Sequence, residues 1–273
     1  MEEVPWYGNP PREEFIQLYR ANQEKRPFTD TEYEKRLQAV MASMETAKID
    51  VLFVSKMENM FYLTNYQTAG NPLQFLILRR QTQDLYFFTR LLEETNVFSF
   101  TNIPPEKSFS FQDHENPYEA LLRLLEQLFS AVTIKKVGLE MDSDRLSCKT
   151  LRVLEPFFQS RGMEIEDCSK LIGHLRLVKS EEELELMRHS AIFTSAALKA
   201  AMIATQPGLT ENDVAARAQQ IMFKMGSEYG AYPVFVSHGP RSARGHSTQH
   251  RTLLKEGVVT IEPGGCYCRY VQN

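Results

Sequence analysis

Leu73-Gln-Phe-Leu-Ile-Leu78-Arg-Arg-Gln-Thr-Gln83-Asp84-Leu-Tyr-Phe-Phe-Thr89 decides the fold of the first part of the chain. Two apolar, aromatic-rich runs flank the polar segment Arg79 to Gln83, which is the pattern of a β-hairpin. Upstream, Ile49-Asp-Val-Leu-Phe-Val54 is a short apolar run that reads as a buried strand. Ahead of it, Thr29 with Glu32 three residues on forms a capping box, and Leu37, Val40, Met41 and Met44 then mark one face of a helix. Asn59 to Tyr66 reads as a connection. Downstream, Pro117 stands in the first turn of a helix to about Phe129, with Leu121, Leu122, Leu125 and Leu128 at helical spacing. Lys136-Val-Gly-Leu-Glu140 is a further strand, followed by a helix ending near Leu154-Glu-Pro156 and a strand at Met163-Glu-Ile-Glu166. Strands alternating with helices over residues 29–170 predict an α/β domain in which helices cover a mixed sheet.

The character changes at Ser180-Glu-Glu-Glu183, a second capping box that places acidic residues where the helix dipole favours them. The helix it opens runs to about Thr205 and stops at Gln206-Pro207-Gly208. Thr210-Glu-Asn-Asp213 starts another helix, carrying Val214, Ala218, Ile221 and Met222 and ending at Met225-Gly226. The expected organisation is a polar, proline-containing arm over residues 1–28 that lies on the surface or on a partner, an α/β domain over 29–173, and a second domain over 174–273.

The chain has 273 residues, 42% of them hydrophobic and 24% charged, the balance of a soluble globular protein. A net charge of -4 leaves no electrostatic footprint for nucleic acid or an anionic membrane. Lys135-Lys136 and the cluster from Arg241 to Arg244 read as solvated charge. No apolar run approaches the ~18 residues of a membrane span. Met1-Glu2-Glu3-Val4-Pro5 lacks the basic and apolar regions of a signal peptide, so the cytoplasm is the expected compartment. Four cysteines make no disulfide framework. Cys266-Tyr-Cys268 is a close pair with both thiols on one side, but no second Cys/His pair follows to complete a zinc site, and no metal is expected there. A glycine-rich phosphate loop is missing, which removes support for nucleotide binding.

In Val258-Val-Thr-Ile-Glu262, period-two alternation sets Val258, Thr260 and Glu262 on one face and Val259 and Ile261 on the other. A partly desolvated carboxylate at the end of a half-buried strand is suited to act as a metal ligand, a general base or a nucleophile. The Gly264-Gly265 pair that follows allows a sharp turn and close approach of a ligand. His246 lies in the irregular segment Gly239 to Arg251, where an imidazole can exchange protons near neutral pH. On spacing alone His238 and His250 compete with it.

Ile49-Asp-Val-Leu-Phe-Val54, Tyr62-Leu-Thr-Asn-Tyr66, Val137-Gly-Leu-Glu140 and the long stretch from Ile172-Gly-His-Leu-Arg176 to Glu185-Leu-Met-Arg188 resemble the creatinase, prolidase and methionine-aminopeptidase family, often called the pita-bread family. The resemblance implies a creatinase-like α/β domain followed by the first part of an α+β pita-bread domain. It raises His246 above its neighbours, because Val236-Ser-His-Gly-Pro-Arg241 leads into the loop that presents the family's active-site histidine. Glu262 falls where dinuclear members have their first metal-binding aspartate, Tyr270 matches the tyrosine before the second, and Asn273 stands in that second aspartate's register. A carboxamide is a poor replacement for an anionic ligand on a hard cation, and the remaining ligands would lie beyond Asn273.

Ile261-Glu262-Pro-Gly-Gly-Cys266, continued by Arg269-Tyr270, resembles the branch with ectoine-hydrolase-like enzymes. By that likeness the reaction is hydrolysis of a C–N bond in a small zwitterionic substrate, without a cofactor. Glu262 then polarises or attacks the carbon and His246 moves the proton. Arg269 and Tyr270 bind the substrate, the guanidinium suiting a carboxylate. A prolidase-like alternative would require Mn or Zn. The resemblance also implies a homodimer. Because the family's catalytic domain pairs two halves, the sequence is expected to be an incomplete catalytic chain or, alternatively, a dimerisation or binding module.

Overall fold

The computed structural model describes residues 12–70, 72–130, 132–230, 232–245 and 251–272. The chain divides into two compact units, residues 1–178 and 179–273.

The first unit contains α1 (Arg12–Ala21), α2 (Asp30–Thr46), β1 (Val51–Val54), α3 (Met57–Thr64), β2 (Phe75–Arg79), β3 (Asp84–Arg90), α4 (Leu91–Phe100), β4 (Ser108–Phe111), α5 (Pro117–Phe129), β5 (Lys136–Leu139), α6 (Cys148–Gln159), β6 (Glu164–Asp167) and α7 (Leu171–Leu175). Its strands form one mixed sheet in the order β4-β3-β2-β1-β5-β6. The predicted hairpin is β2–β3, paired from Phe75↔Phe88 to Arg79↔Asp84. β1 runs antiparallel to β2 and parallel to β5.

Alternation along β1 explains the two cores. Val51 and Phe53 join Leu121, Leu125, Leu154 and Phe158 of α5 and α6 on one face. Leu52 and Val54 join Val40, Met44, Met60 and Ile172 of α2, α3 and α7 on the other. The expected α/β layer with helices covering a mixed sheet is therefore the observed one.

Several local readings differ. The Thr29 hydroxyl accepts the Glu32 amide, as in a capping box. The Glu32 side chain instead pairs with buried Arg36 at 2.9 Å, and that guanidinium also lies 3.9 Å from the Phe28 ring. α6 runs past Pro156 to Gln159 rather than ending there. An internal proline costs about 3 kcal/mol, but continuing the helix buries Phe157 and Phe158, each contributing about 1.5–3 kcal/mol. Residues 57–64, read as a connection, form α3. Within the segment expected to be an arm, α1 docks through Arg12 on buried Glu94 at 2.8 Å and through Arg20 on the Thr101 carbonyl at 2.6 Å. Lys136 is paired rather than simply solvated, with Glu166 at 3.2 Å and Glu164 at 3.3 Å.

The second unit contains α8 (Glu181–Ala204), α9 (Glu211–Lys224), β7 (Phe235–His238), β8 (Val259–Glu262), β9 (Gly265–Tyr267) and β10 (Tyr270–Gln272). Both helices open on reciprocal capping boxes, Ser180 with Glu183 and Thr210 with Asp213. Ala197 and Ala201 of α8 and Ala215 and Ala218 of α9 are small enough for close packing in one core. Val214 and Met222 complete the apolar surface on which Val234 and Val236 rest. No helix among the described residues is long and apolar enough to cross a membrane.

Candidate active site

The β7–β8 pairing fixes where Glu262 stands. Phe235 lies opposite Glu262, Val236 opposite Ile261, Ser237 opposite Thr260 and His238 opposite Val259. Val236, Val259 and Ile261 belong to the face packed in the α8–α9 core. Phe235, Ser237, Thr260 and Glu262 share the other face. One side of the hairpin is thus used for stability and the other carries a half-buried acid.

Tyr232 joins that acid. Its ring stacks on Phe235 with centroids 5.3 Å apart and planes 12° from parallel. Burial, and then the charge of Glu262, push its phenol above the ordinary value. The hydroxyl is buried and meets no hydrogen-bond partner among the described residues. A buried polar group left unpaired costs about 1–3 kcal/mol, so a ligand that supplies a partner gains that much there. The sequence reading did not single out Tyr232. The available signal was an aromatic pair, Tyr232 and Phe235, at the entry to a strand that pairs with the acid.

Of the histidines, His246 and His250 lie outside the described residues. His238 is in structural use: its amide donates to Glu211 Oε1 at 2.8 Å, and its Nε2 lies 2.9 Å from the Lys255 carbonyl oxygen. Arg241, expected among solvated charges, forms an ion pair at 3.3 Å with the fully buried Glu211.

Arg269 and Tyr270 sit on the β9–β10 hairpin, joined by the turn Cys268-Arg269. Both turn residues have positive φ, 47° and 61°. Asn-Gly is the usual choice at such a turn, and a side chain there costs roughly 1–2 kcal/mol per residue. Glu228 and Tyr229 offset that cost. The Arg269 amide donates to Glu228 Oε2 at 2.9 Å, Arg269 Nη1 donates to the Tyr229 carbonyl at 3.0 Å, and the guanidinium lies 4.1 Å from the Tyr229 ring centroid. Tyr270 donates its hydroxyl to Glu183 Oε1 at 2.6 Å, on the carboxylate that also caps α8. Among the described residues, no hydrogen bond or ion pair joins Glu262 to Arg269 or Tyr270.

Gly265 of the glycine pair has a packing role. A Cβ on Gly265 would stand 2.7 Å from the Ser190 carbonyl oxygen and 2.9 Å from Phe193 Cβ. The close approach that Gly265 permits is to α8. Cys266 is buried and Cys268 half-buried, neither in a disulfide; the Cys266 thiol donates to Glu228 Oε2 at 3.5 Å, and burial pushes the two thiols up to about 12 and about 11. Among the described residues no three His, Cys, Asp or Glu side chains gather in a metal-binding group. Of the four residues on that strand face, Glu262 is the anionic donor.

A three-layer α/β unit, followed by a helix-backed hairpin with an acid on its other face, defines a two-unit architecture. Residues 36–178 match the Creatinase/Prolidase N-terminal domain, and residues 185–273 match Metallopeptidase family M24. The chain belongs to the creatinase/prolidase family. It is 26% identical over 253 residues to an uncharacterized hydrolase/peptidase of Sinorhizobium fredii, covering 89% of this chain and 64% of that one. It is 24% identical over 262 residues to the ectoine hydrolase of Halomonas elongata, with the same coverage, 89% and 64%. The fold is similar to that of the recombinant prolidase from Thermococcus sibiricus, with a TM-score of 0.74 at 20% identity, covering 88% of this chain and 63% of that one. The chain spans under two thirds of the length of these relatives.

Proposed function

We propose that this protein hydrolyses a C–N bond in a small zwitterionic substrate, with Glu262 and His246 as the catalytic pair. The observation that carries the reading is the position of Glu262 on the face of β7–β8 opposite the α8–α9 core, beside a buried tyrosine hydroxyl that meets no hydrogen-bond partner among the described residues. The likeness to an ectoine hydrolase supports a cyclic amidine as the substrate class.

Glu262 polarises the amidine-type group while water adds to its carbon, or itself adds to that carbon to give an intermediate from which water then displaces the carboxylate; the C–N bond breaks by either route, and the Tyr232 hydroxyl donates to the oxygen or nitrogen on which charge develops. His246 carries the proton to the leaving nitrogen. Arg269 holds the substrate carboxylate: its side-chain hydrogen bonds to Glu228 and to the Tyr229 carbonyl both run through Nη1, so among the described residues Nε and Nη2 are left for a ligand. Tyr270 lines the same end while its hydroxyl rests on Glu183.

The M24 match also supports a metallopeptidase reading, for which a divalent ion would supply Lewis-acid activation. The donors among the described residues do not suffice to hold one, so the chemistry proposed for this chain's own side chains is that of a carboxylate, an imidazole and a phenol. The reading extends to a homodimer in the cytoplasm, where four cysteines free of disulfides suit a reducing compartment.

The test is hydrolysis of ectoine and of glycyl-proline by the wild type and by Glu262→Gln and His246→Ala. The reading expects ectoine cleavage that either substitution abolishes. Cleavage of glycyl-proline alone, restored after chelation only by Mn²⁺ or Zn²⁺, would replace it with the peptidase reading.

A further inference from the structure

The segment between β7 and β8 contains His246, and both of its described legs are fastened at one residue, Glu211, the first residue of α9. The Glu211 side chain is fully buried. Its Oε1 accepts the His238 amide at 2.8 Å and lies 3.3 Å from Arg241 Nε, both on the outgoing leg. Its own amide donates to the Thr252 carbonyl at 3.1 Å, on the returning leg.

Neighbouring bonds close the same base. Gly239 N–H donates to the Val258 carbonyl at 2.9 Å, Leu254 N–H to the Leu209 carbonyl at 2.7 Å, and the His238 ring meets Lys255.

Capping does not account for this carboxylate. The α9 box is already complete with Thr210 and Asp213, whose Oδ2 accepts the Thr210 amide at 2.7 Å. Burying a carboxylate is costly unless charge-assisted bonds compensate it, and the bonds Glu211 makes go to the β7–β8 segment. We propose that Glu211 is a positioning residue that fixes the described legs of the β7–β8 connection, residues 239–245 and 251–258, relative to the strand that carries Glu262. The significance of that role rests on the catalytic reading of His246 given above.

Hydrogen–deuterium exchange on the whole chain tests it, comparing the wild type with Glu211→Ala and with the milder Glu211→Gln. Gln keeps an acceptor for the His238 amide and loses the ion pair with Arg241. In Glu211→Ala, amides of residues 238–245, the leg that the carboxylate itself holds, should exchange about tenfold faster or more, the scale of losing a hydrogen bond to a charged group, while residues 251–258, held through the Glu211 backbone amide that alanine keeps, should change less. α8 and the body of α9 should keep their protection. Glu211→Gln should recover part of the difference, and tryptic cleavage after exposed Arg244 should follow the same order. Equal loosening of the segment and both helices would overturn the proposal by showing that Glu211 only stabilises the unit. No change in either variant would overturn it as well. The exchange result needs no turnover, so failure of the clamp and failure of the hydrolase reading are separately visible.

Discussion

Replacing Gly265 with alanine should destabilise the second unit by about 2–4 kcal/mol. The new Cβ would sit 2.7 Å from the Ser190 carbonyl oxygen, 2.9 Å from Phe193 Cβ and 3.0 Å from the Thr194 nitrogen. Two of those three atoms are α8 backbone and cannot rotate away. Relief requires β9 to move off the helix, stretching the Gly265 N–H bond to Thr194 Oγ1, now 2.8 Å, and the Thr194 hydroxyl bond to the Gln272 carbonyl, now 2.5 Å. Overpacking costs typically 1–3 kcal/mol, and each weakened hydrogen bond adds roughly 0.5–1.5 kcal/mol. The lower chain entropy of unfolded alanine returns about 0.4–1 kcal/mol. In calorimetry the transition of the second unit should fall by roughly 10–20 °C, since ~1 kcal/mol moves a domain of this size by about 4–8 °C. The transition of the first unit should not move. A loss below about 0.5 kcal/mol would refute the claim that Gly265 is there for α8, and would return it to the role of admitting a ligand.

Tyr232→Phe should leave stability unchanged or raise it by about 1 kcal/mol, because it removes a buried hydroxyl that has no hydrogen-bond partner among the described residues. The same variant should lose turnover, and a stability loss above about 1 kcal/mol in chemical denaturation would contradict that view of the phenol. Iodoacetamide at pH 8 should modify exposed Cys148 quickly and spare Cys168, Cys266 and Cys268, whose thiols burial pushes up to about 11, about 12 and about 11. Mass spectrometry showing rapid labelling of two or more sites would contradict it. Burial raises the Glu140 carboxyl despite hydrogen bonds from Lys56, Asn59 and Ser55. A carboxyl with a raised folded value binds protons more tightly folded than unfolded. Its contribution to stability is therefore full below the ordinary carboxylate range and is lost as pH rises through the raised value. Glu140→Gln should flatten that part of the profile of the first unit, and an unchanged slope would count against it.

The elements legible in the sequence are those whose signals are local. The β2–β3 hairpin, α5 behind Pro117 and the reciprocal caps of α8 and α9 each announce themselves within a few residues. α3 does not, because its cap comes from far along the chain. Glu140 Oε2 accepts the amides of Ser55 and Lys56, each at 2.7 Å, and Lys56, the N-cap residue, makes no side-chain cap of its own. With Met60, Phe61, Tyr62 and Leu63 all buried, α3 also lacks the one-sided pattern that marks a surface helix.

The same distinction holds in the candidate site. Alternation along β8 placed Glu262 opposite the core face from sequence alone. The Glu228 support under Arg269 and the Glu211 clamp depend on contacts across 27 to 41 residues of sequence, and no local pattern encodes them.

The most direct measurement is the rate of ectoine hydrolysis by the native protein against its Glu262→Gln variant, with folding of both confirmed by calorimetry. The account predicts turnover by the native protein and a loss of at least about a hundredfold in the variant, as expected for removing a group that acts on the reacting atoms. Equal rates in the two proteins, or no cleavage by the native one, would contradict it.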